Sequence, residues 1–398
     1  MSATPIRVML YSHDAQGLGH LRRNLALAHH LSQHLPELAQ APVTGLLVAG
    51  LTPGEGFEVP NGFDWLVLPG IVKSPNGYQP RRLNSTRAQL RDLRSQVIEA
   101  ALNSFAPDLF IIDRHPYGVR QELLEPLRSL RRHHPDTRVV LGLREVLDDP
   151  GTMEREWANL GSGQQLRDLI DQVWVYGDPT VHDLTRTGEG PKVLADRMRF
   201  TGYLSLGRRA VDFSGTSPVQ VPEPFVLTTA GGGSDALPLL LLQSAIMEPP
   251  AGHQHIVVCG PQLSEPDVAR VAQIAGPRTR VVRTWPGLSR HVNEAAAVIS
   301  MGGYNTVCEI LSTSVPSLIV PRETPRLEQL IRARSLERCG AVDVLRSSDA
   351  TPEALGQWAA SAVSRTVSRE HIDLTGLSAV PLLAHELLAE DVEEGWAA

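Results

Sequence analysis

The sequence predicts an α/β protein of two doubly wound domains facing a cleft, and three observations carry that prediction. Strand-length apolar runs alternate with helix-length amphipathic runs from end to end, the pattern of parallel sheets covered by helices on both faces. The chain has 398 residues, more than one ordinary core holds. A stretch rich in Gly, Pro and Ser, between Gly202 and Pro224, separates two such alternating series.

The first series opens with a strand from Arg7 to Ser12 and a helix from Gly19 to Leu35. Strands follow at Val43 to Ala49, Asp64 to Leu68, Asp108 to Asp113, Arg138 to Leu143 and Asp171 to Tyr176, with a helix over Val119 to His133. The Gly/Pro-rich stretch from Gly70 to Asn84, carrying Lys73, Arg81 and Arg82, reads as a loop covering the cleft. The second series has strands at Phe225 to Thr229, His255 to Cys259, Arg280 to Arg283, Ala296 to Ile299 and Ser317 to Val320. An amphipathic stretch over Ala379 to Glu390 runs into an acidic tail.

Composition narrows the function classes. A formal net charge of −7 argues against general nucleic-acid binding. Cys259, Cys308 and Cys339 are widely separated, so neither a metal-ligand spacing nor a disulfide framework is present, and a reduced, cytoplasmic setting fits best. The first apolar run, Val8 to Tyr11, is strand-sized, and no run approaches the roughly 20 residues of a membrane span.

Three segments could carry chemistry. Ser12-His13-Asp14-Ala15-Gln16-Gly17-Leu18-Gly19-His20 joins the first strand to the first helix. Gly17 and Gly19 permit a tight loop whose backbone approaches a ligand closely, and they place His20 at the helix start. A neutral His near pH 7 in such a place suits removal of a proton from a bound hydroxyl. His13 and Asp14 are alternative bases, either able to orient the other. Arg22 and Arg23 point in different directions on the helix, so at most one reaches a phosphate or an acidic acceptor. Next, Thr229-Ala230-Gly231-Gly232-Gly233-Ser234 offers unhindered N–H groups and a hydroxyl at a strand-to-helix turn. It lacks the Lys of a P-loop, which argues against an ATPase. Last, Ser300-Met301-Gly302-Gly303-Tyr304-Asn305-Thr306-Val307-Cys308-Glu309 opens a helix through a Gly-Gly turn, where amides and the positive helix end face an anion.

These segments, with Glu328-Gln329 beyond them, resemble the donor-binding half of the GT-B nucleotide-sugar glycosyltransferases, and most closely the MurG-like group, glycosyltransferase family 28. The resemblance is specific at Gly17 to His20, Gly231 to Ser234 and Ser300 to Gln329. It implies two Rossmann-like domains: an acceptor domain over 1–205, a nucleotide-sugar donor domain over 206–375, and a terminal helix and tail over 376–398 crossing back to the first domain. It implies that Gly231, Gly232, Gly233, Ser234, Gly302, Gly303, Asn305 and Thr306 surround the donor diphosphate. Glu309 would bind ribose hydroxyls, Trp285 would wall the base, and Glu328 and Gln329 would touch the sugar. The family has His-Gln or Asp-Gln at the last pair, so Glu328 leaves the sugar open.

The activity implied is transfer of a sugar from a nucleotide-sugar donor, with inversion, to a hydroxyl of a small-molecule, lipid-linked or natural-product acceptor. The nucleotide would be UDP. The nucleotide sugar is a co-substrate, and no metal or other cofactor is implied. Gly17, Gly19, Asp113, His115 and Glu145 lie on the acceptor side. Two alternatives remain on the same residues: a nucleotide-sugar epimerase or hydrolase using Glu145, Asp113 and His115, or a non-catalytic nucleotide-sugar-binding protein. Contact with a membrane surface is compatible with a lipid-linked acceptor.

Overall fold

A computed structural model describes residues 4–13, 19–51, 57–74, 77–208, 224–232 and 238–394. The first half contains β1 (Ile6–Tyr11), α1 (Gly19–Ala39), β2 (Val43–Ala49), β3 (Phe63–Val67), β4 (Ile71–Ser74), β5 (Gly77–Pro80), α2 (Arg87–Phe105), β6 (Leu109–Asp113), α3 (Leu124–His133), β7 (Arg138–Arg144), α4 (Pro150–Ala158), α5 (Gly163–Leu169), β8 (Gln172–Tyr176), α6 (Leu184–Thr187) and β9 (Met198–Phe200). The second half contains β10 (Phe225–Thr229), α7 (Leu239–Ile246), β11 (Gln254–Val258), α8 (Glu265–Gln273), β12 (Thr279–Val282), α9 (Leu288–Glu294), β13 (Ala297–Ser300), α10 (Tyr304–Leu311), β14 (Ser317–Ile319), α11 (Glu328–Arg338), β15 (Asp343–Val344), α12 (Pro352–Ala362) and α13 (Gly376–Glu394).

Two parallel sheets result. The seven-stranded sheet has the order β3-β2-β1-β6-β7-β8-β9, and the six-stranded sheet β12-β11-β10-β13-β14-β15. Both are doubly wound. Strand order reverses between β1 and β6 in one and between β10 and β13 in the other, and such reversals open a crevice beyond the carboxyl ends of the strands. The central strands are buried on both faces, which explains their continuous apolar runs: β6 is buried at all five residues, as is β10. Helix α13 packs on α1, so the end of the chain rests on its beginning.

The stretch from Gly70 to Asn84 differs from expectation. It contains an antiparallel hairpin, β4 with β5, in which Val72 pairs with Gln79 and Lys73 with Tyr78. Asn76-Gly77 between two short runs was the available sequence signal for it. Arg81 Nη2 donates to the Ile71 carbonyl at 2.9 Å and fastens the hairpin's base. The helix expected over Val119 to His133 is a 3₁₀ turn, Val119–Gln121, followed by α3; Arg120 at φ 52° breaks it.

Side chains of the two halves meet at their boundary. Asp113, at the end of β6, receives three hydrogen bonds from Arg23 at 2.7–3.2 Å. The guanidinium carbons of Arg23 and Arg332 lie 5.5 and 5.8 Å from the centroid of the Tyr304 ring. Arg332 Nε donates to Glu145 Oε1 at 2.7 Å, and both side chains are fully buried. Burial opposes the charge on Arg332, but the Glu145 carboxylate outweighs it and raises the Arg332 pKa above its usual value. Glu145→Ala therefore leaves an uncompensated buried cation, and equilibrium unfolding should register a loss of about 3–5 kcal/mol. Pairing it with Arg332→Met should recover most of that loss.

Candidate active site

The two strand-order reversals face each other across the cleft, and the residues singled out in the sequence gather there. A cavity of about 290 Å³ is lined by Gly19, His20, Arg22, Arg23 and Arg144 from the first half. From the second half it is lined by Gly231, Gly232, Trp285, Gly303, Asn305, Thr306, Glu309, Glu328 and Gln329. A larger hollow of about 1120 Å³ lies at the connection between the halves, beside Asp178, Arg369 and Asp373. It gathers none of the predicted residues. Asp14, Gly17, Gly233 and Ser234 lie outside the described residues.

The second half supplies an anion-facing wall. The turn after β10 needs Gly231, whose φ is +77°. The turn after β13 needs Gly302: φ is +74°, and a Cβ there would sit 2.6 Å from Ile319 Cγ2. Gly303 then caps α10, and a Cβ on it would meet nothing within 4 Å, so its backbone is open to a ligand. Amides of the first turn of α10 have no intrahelical acceptor and carry the positive end of the helix dipole. Trp285 stacks on His291 with ring centroids 3.9 Å apart, forming a flat aromatic wall. Asn305 Nδ2 donates to the Gly19 carbonyl at 3.0 Å, tying the start of α10 to the start of α1.

Among the described residues, every acid lining this cavity already has a cationic partner from the other half. Glu309 accepts from Arg22 Nη2 at 2.6 Å. Glu328 accepts from Arg144 Nη2 at 2.5 Å. Burial alone would raise the Glu328 pKa, but Arg144 and Arg332 outweigh it and hold it at about 2. Gln329 Oε1 accepts from the Arg322 backbone at 3.0 Å, which fixes the start of α11. Below this level, Arg326 bonds Asp148 at 3.0 Å and Glu156 at 2.5 Å.

The first half supplies a histidine paired with a carboxylate. His20 Nδ1 lies 2.8 Å from Asp113 Oδ2. Burial would raise the Asp113 pKa, but the Arg23 and His20 charges outweigh it and keep the carboxylate well below its usual range. Arg23 Nη2 also lies 3.2 Å from Nδ1, but the carboxylate is nearer and only accepts, so the proton sits on Nδ1 and Nε2 is the lone-pair nitrogen. Among the described residues Nε2 has no hydrogen-bond partner. Burial lowers the His20 pKa, and Asp113 opposes that only in part. The imidazole is therefore neutral near pH 7, with one acceptor nitrogen. Among the described residues, no cluster of three His, Cys, Asp or Glu side chains has the geometry of a metal site.

His13 and His115 lie behind His20. His13 is 5.7 Å from the His20 ring and 4.2 Å from His115, and Tyr78 of the hairpin meets it edge-on at 6.0 Å. His13 is buried, and burial first, then the neighbouring His20, pushes its pKa well below the usual value. His115 follows the same logic, with burial ahead of His13. Neither lines the cavity.

Two expectations require correction. Glu145 does not face the acceptor side: it is fully buried and closed by Arg332. Its position just after β7 gave no sign of a partner 187 residues away. Arg22 and Arg23, read as pointing in different directions, both line the cavity, and Arg23 is 2% exposed and committed to Asp113. Sequence reasoning also missed the pairing of Arg144 with Glu328 and the pairing of His20 with Asp113. The Asp113 that ends a fully buried strand was the one available signal for the latter.

Comparisons with known proteins agree with the fold. Residues 227–366 match the model of the glycosyltransferase family 28 C-terminal domain. A UDP-N-acetylglucosamine–N-acetylmuramyl-(pentapeptide) pyrophosphoryl-undecaprenol N-acetylglucosamine transferase of Clostridium kluyveri is 38% identical over 66 residues. That match spans 16% of this chain and 19% of the relative's length. Among solved structures, MurG of Acinetobacter baumannii superposes with a TM-score of 0.52 at 15% identity, covering 97% of this chain and all of that one. UGT89C1 of Arabidopsis thaliana, solved with UDP, gives 0.58 at 14% identity over 98% and 99% of the two chains. A Listeria monocytogenes protein described as a UDP-N-acetylglucosamine 2-epimerase gives 0.59 at 11% identity over 98% of both. At these identities the structural likeness establishes the fold alone.

Proposed function

Starting from a chain that carries a glycosyltransferase family 28 C-terminal domain on a GT-B fold, we propose that it is an inverting glycosyltransferase taking its sugar from a UDP-linked donor. The observation that carries this reading is the His20–Asp113 pair, 2.8 Å apart, on the opposite side of one cavity from the Gly231-Gly232 and Gly302-Gly303 turns.

The donor lies against the second half in this reading. The glycine turns and the start of α10 hold the diphosphate, Glu309 the ribose, and Trp285 the base. Glu328 and Gln329 face the sugar. The acceptor hydroxyl enters from the first half, and His20 Nε2 takes its proton as the oxygen attacks the anomeric carbon. The bond to the diphosphate breaks on the opposite face, so configuration inverts. Negative charge grows on the leaving diphosphate, where preorganised amides and the helix end stabilise it. Asp113 holds the imidazole in the right tautomer and stabilises the imidazolium. The positive charge on His20 is then balanced without any rearrangement of Arg23. The diphosphate is stabilised by protein groups, so the reaction needs neither metal nor additional cofactor. A hydroxyl of a small-molecule, lipid-linked or natural-product acceptor is the second substrate, and the compartment is the cytoplasm.

The UDP reading draws on the named Clostridium relative and on the UDP held by the Arabidopsis neighbour. Release of free sugar or of an epimer with no acceptor present would favour the epimerase or hydrolase reading instead.

His20→Ala should lower kcat by about 10²–10⁴-fold, the usual effect of losing a general base, and change the donor KM only a few-fold. Turnover within a few-fold of the parent, on protein shown to be folded, would remove His20 from the mechanism. His20 must be neutral to act, and its pKa lies below the ordinary value of 6.5. Activity should therefore be flat through neutral pH and fall only as the pH drops below that value. The same assay with excess EDTA should retain full turnover; loss restored by Mg²⁺ or Mn²⁺ would contradict metal independence.

A further inference from the structure

Among the described residues, the arginines lining the proposed donor cavity are Arg22, Arg23 and Arg144. Arg23 is held to Asp113 by three hydrogen bonds, and Arg144 is held to Glu328 at 2.5 Å. Arg22 is placed differently. Among the described residues its partner is Glu309, with Nη2 2.6 Å from Oε1. Glu309 is also the carboxylate that the proposed function gives to the ribose. A ribose diol and a guanidinium compete for the same oxygens.

We propose that Arg22 is a ligand-gated phosphate residue: the ribose displaces it from Glu309, and the freed guanidinium takes the donor diphosphate. The inference rests on the nucleotide-sugar reading and extends it to the first half of the chain. Three observations support it. Displacement leaves an Arg22 side chain only 27% exposed without its counter-charge, a costly state unless another anion is at hand. The diphosphate brings negative charge into a cavity whose acids are already matched, and a guanidinium fork fits phosphate oxygens bidentately. The backbone of the first turn of α1 is anchored beside the Gly302-Gly303 turn by the Asn305 bond to Gly19, so the side chain can change partner without moving its helix.

The arrangement also selects among ligands. A nucleoside alone must break the Arg22–Glu309 pair and offers the freed guanidinium no anion in return. A nucleoside diphosphate exchanges one ion pair for another. Arg22 thus couples recognition of the ribose to recognition of the phosphates.

The test is titration calorimetry of each nucleoside and its diphosphate from the uracil, thymine and guanine series, using the tightest pair. Arg22→Met should bind the diphosphate at least about tenfold more weakly, the scale of one lost charged hydrogen bond. It should bind the nucleoside as well as the parent or better, so the diphosphate-to-nucleoside ratio falls at least about tenfold. Arg22→Gln, which keeps a polar side chain in place, should show the same fall, and Arg22→Lys should recover part of it. Glu309→Gln should weaken both ligands. An unchanged ratio in folded Arg22→Met or Arg22→Gln overturns the role of Arg22 while leaving the donor site standing. A parent protein that binds no nucleoside diphosphate overturns the donor reading and this inference with it.

Discussion

The structure depends on one chain of contacts that runs through the boundary between its halves: Asp113, Arg23, the Tyr304 ring, Arg332 and Glu145. Each end is a buried carboxylate, and each carboxylate meets a guanidinium. Both guanidiniums lie near one aromatic ring, which adds cation–π attraction where water is excluded. Tyr304 itself opens the helix that follows the Gly302-Gly303 turn, and its hydroxyl accepts from the Leu204 backbone at 3.3 Å. A change in the spacing of the halves would strand at least one buried charge. Buried ion pairs contribute little net stability, yet they penalise any geometry other than their own.

That constraint matters because the proposed chemistry is divided between the halves. The glycine turns lie on one side and His20 on the other. Attack at an anomeric carbon needs the base, the acceptor oxygen and the leaving group in line, and small misplacements cost much of the rate. Asp113 serves both purposes. It anchors Arg23 at the boundary and orients His20 in the cavity, so the group that fixes the domain spacing also fixes the tautomer of the proposed base. The outer pairs, Arg22–Glu309 and Arg144–Glu328, cross the same boundary in the cavity itself, where a ligand can exchange with them.

Much of this was legible in the sequence, for identifiable reasons. Strands buried on both faces give uninterrupted apolar runs, so β6, β7, β10 and β13 could be placed within a residue or two. The glycine turns announce themselves because Gly231 and Gly302 occupy backbone conformations other residues avoid. The hairpin from Ile71 to Pro80 was hidden by its shortness and by its Gly and Pro residues, which read as loop. Partnerships were not legible. His20 and Asp113 are 93 positions apart, and Glu145 and Arg332 are 187 apart; no local pattern connects them. Glu145 looked like a cleft residue because it follows a strand at its carboxyl end. Only the packed fold shows that Arg332 reaches it first.

The claim on which the account turns is that Asp113 holds His20 as a neutral imidazole protonated at Nδ1. Nitrogen-15 NMR of the free protein, with His20 assigned through a His20→Gln variant, tests this without any substrate. The account predicts a protonated Nδ1 and an unprotonated Nε2 at pH 7, with the second proton bound only below pH 6.5. A His20 ring protonated at Nε2 instead, or one that is cationic at neutral pH, would contradict it.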